Sequence, residues 1–142
     1  MGFQGGIKAA AKLLAGLSKS ARDKVLEKIS SSDPKMAQEL QKSMYTFEDL
    51  ILLTPMMVNE LVNATKEELW GMALRSASPD LRQHLLSNIP RLKRGVIEEE
   101  LNGPPQLLSK VEEAQDKIME IVLLKIEKGQ IIIDKDSSQK YV

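Results

Sequence analysis

Ser78-Pro-Asp-Leu-Arg-Gln-His-Leu-Leu-Ser87 reads as one complete short helix. A serine stands at the capping position, where its hydroxyl can accept an otherwise unpaired N–H of the first turn. Proline follows at the first helical position, where its missing N–H costs nothing. Leu81, Leu85 and Leu86 then recur at helical spacing and form a single apolar face. The same device occurs twice more upstream. Asp33-Pro34 precedes Met36, Ala37 and Leu40, and Thr54-Pro55 precedes Met56, Met57, Leu61 and Val62. Three repetitions of one start signal, each ahead of a stripe too short for a long rod, predict a stack of short helices.

The rest of the chain agrees. Ile7, Ala10, Ala11, Leu13, Leu14 and Leu17 make a first stripe, with Gly16 near its end. A second helix opens at Ser18 or Ser20 and carries Ala21, Val25, Leu26 and Ile29. Thr65-Lys-Glu-Glu68 and Ser109-Lys-Val-Glu112 both fit a capping box. The second box opens the longest helix, about 110 to 128, which Gly129 ends. Leu101-Asn-Gly-Pro-Pro105 is the strongest break in the second half. Ile131, Ile132 and Ile133 are too isolated for a sheet and read as an extended, packed tail. The expected class is all-α, stacked helical hairpins resembling an armadillo-like right-handed superhelix with a C-terminal helical domain.

Composition removes several functions. Twenty cations balance twenty anions, so no overall field attracts nucleic acid or a membrane. Aromatic residues are only 4%, which leaves no platform for base stacking. There is no cysteine, hence no disulfide, thiolate metal site or cysteine nucleophile. With no apolar run near the roughly 18 residues a membrane span requires, and no secretory leader pattern, an intracellular location is the default. Gly2, Gly5 and Gly6 are too few to cradle phosphate, and no nucleotide, hydrolase or zinc-peptidase motif occurs. His84, beside Arg82 and Gln83, reads as a surface histidine. Glu98, Glu99 and Glu100 point about 100° apart on a helix and cannot converge on one reacting atom. The expectation is no catalytic residues, no metal, no cofactor and a protein-binding surface.

Two stretches suggest where that surface lies. Arg91-Leu-Lys-Arg-Gly-Val-Ile-Glu-Glu-Glu100 sets cations before anions within one helix, against the helix macrodipole. The pair Arg94–Glu98 also runs in the less favoured direction. Such a helix either tolerates a solvated face at small cost or presents its charges to a partner. Met44-Tyr-Thr-Phe-Glu-Asp-Leu50 gathers large side chains at a seam between helical groups, either as core filling or as a hinge that repacks.

Gly5-Gly6, Met44 to Leu50, Ala73-Leu-Arg75, Ser87-Asn-Ile89 and Ser109 to Ile118 together resemble, in order and spacing, the family of the flagellar motor switch protein FliG. The resemblance covers roughly residues 5 to 134. It implies a partial middle armadillo-type unit at 1–43, a C-terminal helical domain at 44–134 and a flexible tail at 135–142. It also implies a non-enzymatic rotor protein that is homo-oligomeric, cytoplasmic and peripheral to the membrane at the flagellar basal body. The partners implied are FliM, full-length FliG or a second copy of the chain, and the cytoplasmic loop of the stator. By the same resemblance, Met44, Tyr45 and Phe47 are the hinge, with tyrosine in place of a usual phenylalanine, and Gly5 and Gly6 are a linker. The stator-facing charges are Arg75, Arg91, Lys93, Arg94, Glu99 and Glu100. Two family arginines are missing: Leu92 stands at one, and the region Asn102-Gly-Pro-Pro105 lacks the other. The family's anchoring N-terminal domain and its Glu-His-Pro-Gln motif are not in the sequence. Either a fragment or a short natural paralogue fits, with the paralogue slightly favoured. The alternative to a torque-bearing rotor is an adaptor that kept the helical stack.

Overall fold

The computed structural model describes residues 3–133 and is all-α, with no strand among the described residues. Among the described residues eight α-helices run in order: α1 (Phe3–Ala15), α2 (Lys19–Ser32), α3 (Pro34–Met44), α4 (Pro55–Asn63), α5 (Glu67–Ala73), α6 (Pro79–Ser87), α7 (Arg91–Leu101) and α8 (Leu108–Glu127). Two 3₁₀ segments, Phe47–Leu52 and Leu74–Ser76, interrupt them.

The start signals act as their chemistry dictates. Ser18, Asp33, Thr54 and Ser78 each accept a hydrogen bond from the N–H three residues on, at 3.1–3.3 Å. Asp33 serves twice, because its own N–H also closes α2 on the Ile29 carbonyl at 2.6 Å. Gly129 has φ +71°, a conformation glycine adopts without steric cost. Around it Gly129 N–H reaches the Ile126 carbonyl and Gln130 N–H the Lys125 carbonyl, the paired bonds of a Schellman stop. That reversal folds Ile131 and Ile133 into the core while Ile132 faces out, as the extended-tail reading expected.

The two capping boxes are not formed. Lys66 and Leu107 occupy the capping positions of α5 and α8 without side-chain cap bonds. The Thr65 hydroxyl instead donates to the Leu61 carbonyl and accepts from the Trp70 indole N–H. Satisfying that buried donor outweighs a local cap. Ser109 lies one residue inside α8, which begins at Leu108 rather than near 110.

The chain divides into two compact units, Met1–Thr46 and Phe47–Val142. In the first, α3 packs on both α1 and α2, around Ala11, Leu14, Leu40 and Met44. In the second, α5 packs against α7 and α8, and Trp70, Leu74, Ile97 and Ile118 have no exposed surface. Gln115 of α8 donates to the Ala73 carbonyl and to Ser76 Oγ, and Lys125 pairs with Glu60 at 2.9 Å. His84 is not the expected surface residue. It is half-buried, and its Nε2 carries the proton given to the Leu53 carbonyl at 2.8 Å. The expected tail at 135–142 lies outside the described residues.

Candidate functional site

Helix α7 has one fully buried side chain, Ile97, whose direction fixes the orientation of the rest. Opposite it, Arg91, Leu92, Gly95, Val96, Glu98 and Glu99 are exposed. At about 100° per residue, all of these except Val96 fall within about 60° of the Gly95 direction. The outer face is therefore a crest, basic at its start and acidic at its end. Leu92 is 88% exposed and Val96 47%, which puts an apolar ridge along one flank.

The six charges expected to face outward separate into two groups. Glu99 and Arg91 stand on the exposed face. Arg75 does not. Its guanidinium donates to the Glu100 carbonyl and to the Pro104 carbonyl, each at 2.8 Å. These acceptors belong to the last turn of α7 and the turn that follows, so Arg75 brings positive charge to a helix C-terminus. It offsets from another segment the unfavourable charge order within α7. Gly103 fits beneath it; a Cβ there would lie 3.4 Å from Arg75 Nη2.

Glu100 is half-buried because α5 and α7 meet at Gly71. A Cβ on Gly71 would lie 2.4 Å from the Glu100 Cβ and 2.6 Å from its Cγ. Its stem is thus a packing surface. Lys93 is half-buried and donates to Asn63 Oδ1. Arg94 reaches Glu98 at 3.8 Å along the same helix. Among the described residues, no ion pair holds Glu99 or Glu100. Sequence reasoning missed the Arg75 clamp and the Gly71 contact. Gly71 within an otherwise good helical pattern was the one readable signal, since an interior glycine often marks close approach.

The Met44–Phe47 stretch is divided between the two units. Met44 ends α3 and is buried in the first core, with Tyr45 packed partly against it. Phe47 begins the second unit and its ring meets Trp70 with centroids 6.2 Å apart. Gly5 and Gly6 lie inside the first turns of α1 rather than in a break between helices, because the helical bonds of α1 begin at Phe3. Among the described residues, no group of three or more His, Asp or Glu side chains is placed to hold a metal. No helix among them is long and apolar enough to cross a membrane.

A family model described as the FliG C-terminal domain matches residues 27–133. The flagellar motor switch protein FliG of Thermotoga maritima is 28% identical over 140 residues, 97% of this chain and 42% of that protein. That of Aquifex aeolicus is 30% identical over 129 residues, 90% of this chain and 39% of that protein. The solved structure of full-length FliG from Aquifex aeolicus aligns with a TM-score of 0.75 at 29% identity, over 89% of this chain and 40% of that one. A FliG crystal structure from H. pylori gives a TM-score of 0.70 at 29% identity, over 90% of this chain and 57% of that one. The chain spans about two fifths of the length of the curated relatives it matches.

Proposed function

The chain belongs to the FliG C-terminal domain family, and on that premise we propose that it acts as a flagellar rotor component whose α7 crest is pushed by the stator's cytoplasmic loop. The observation that carries the reading is Glu99, exposed on the face opposite Ile97 and held by no ion pair among the described residues. Arg91, the first residue of α7 and on the same face, supplies the opposite charge. Charges so placed steer encounter and set register more than they add affinity. Arg75, Lys93 and Glu100 support the crest: they clamp, brace and pack α7. The location proposed is the cytoplasmic side of the basal body, with FliM and other FliG copies as neighbours. Met44, Tyr45 and Phe47 act as the hinge, each anchored in one unit or the other, with Thr46 between them.

The test is charge reversal at Glu99 and Arg91 in a flagellated cell that carries this chain. Glu99→Lys lowers torque or biases switching with the fold intact, and Glu100→Ala acts through stability instead. Wild-type rotation in Glu99→Lys and in Arg91→Glu removes the crest from the mechanism. A second reading, an adaptor without torque, is favoured by Leu92, an exposed apolar side chain on the flank of a charged crest. A pull-down that recovers full-length FliG but no stator selects it.

A further inference from the structure

The exposed face of α7 is complementary to itself. It is basic at Arg91, acidic at Glu98 and Glu99, and open at Gly95, where an added Cβ would meet nothing within 4 Å. Arg91 and Glu99 lie at equal distances in sequence on either side of Gly95. A second α7 laid antiparallel across Gly95, related by a two-fold axis, therefore sets Arg91 of each copy level with Glu98 and Glu99 of the other. The two-fold also keeps each flank with its own kind. Leu92 of one copy comes against Val96 of the other, within about 3 Å along the axis at 1.5 Å rise per residue. The exposed apolar ridge is then covered by its own image, and Arg91 of each copy meets the acidic end of the other. A two-fold contact requires one patch to be self-complementary in this way.

We propose that two copies of this chain pair antiparallel through α7, across Gly95, and so cover the charged crest in the free protein. The contact is small, of the class below about 1,200 Å² that forms weak and reversible complexes. Glycine at the crossing point lets the two backbones approach. The pairing is independent of the stator reading, since it follows from the pattern on one helix face alone. If both hold, stator and second copy compete for the same residues.

Sedimentation equilibrium of the 142-residue chain over increasing concentration tests it, with Arg91→Glu and with the double variant Glu98→Lys/Glu99→Lys. The substituted positions are exposed, and matching far-UV circular dichroism checks that each variant is folded. The wild-type chain moves from the mass of one chain toward that of two. Each variant alone, now with like charge at both ends of the crest, dimerises at least about tenfold more weakly. Their equimolar mixture regains the two-chain mass, because an all-acidic crest meets an all-basic one. Leu92→Lys weakens pairing in every combination. A wild-type chain that stays monomeric, variants that still dimerise alone, or a mixture that does not recover would each overturn the pairing.

Discussion

Gly71 and Arg75 show at the scale of single residues how α7 is held. Gly71 leaves room for the Glu100 stem at a distance no side chain tolerates. Gly71→Ala is expected to lower stability by about 1–3 kcal/mol through overpacking, measured by urea denaturation. An unchanged midpoint would mean α5 and α7 part without cost. Arg75 donates two charge-assisted bonds to carbonyls at the end of α7. Arg75→Ala should cost about 1.5–3 kcal/mol. Arg75→Lys should restore only part of it, because one ammonium cannot reproduce the planar fork. Full rescue by lysine would show that charge alone, not the fork, closes the helix. Of this, only the interior glycine at Gly71 was legible in the order of residues. The sequence displayed Arg75 as one more cation near a charged helix, and only the folded backbone brings the two carbonyls to it.

Helix starts were readable one by one, because a cap is a local bond between a side chain and an N–H three residues away. Ser18, Asp33, Thr54 and Ser78 therefore behave as their neighbours in sequence predict. Thr65 departs because Trp70, buried in the second unit, needs an acceptor. Thr65→Val keeps the shape and removes that acceptor, and is expected to destabilise by about 1–3 kcal/mol. A Trp70 fluorescence transition that stays at the wild-type denaturation midpoint would contradict this. The charge order of α7 was likewise visible in the sequence. Which of its charges face out was not, since Ile97, Gly71 and Asn63 decide that from other elements or from burial.

At the scale of the whole molecule, the division between units falls after Thr46, inside the Met44–Phe47 stretch. Met44 goes to the first core, which is where the expected boundary at 43 and 44 differs. The chain has one tryptophan, and it lies in the second unit. Leu40→Ala, which opens the first core, should cost that unit about 2–5 kcal/mol. The Trp70 fluorescence transition should stay where it is while the circular-dichroism transition broadens toward lower denaturant. Both moving together would show a single cooperative block and no independent units.

The claim on which the rest depends is that α7 shows its outer face to another protein. Backbone amide NMR of the chain, titrated with a peptide of the stator's cytoplasmic loop, tests it most directly. The largest shifts are expected at Arg91, Gly95 and Glu99, reduced by added salt and lost in Glu99→Lys. Shifts confined to other helices, or none at any concentration reached, would contradict it.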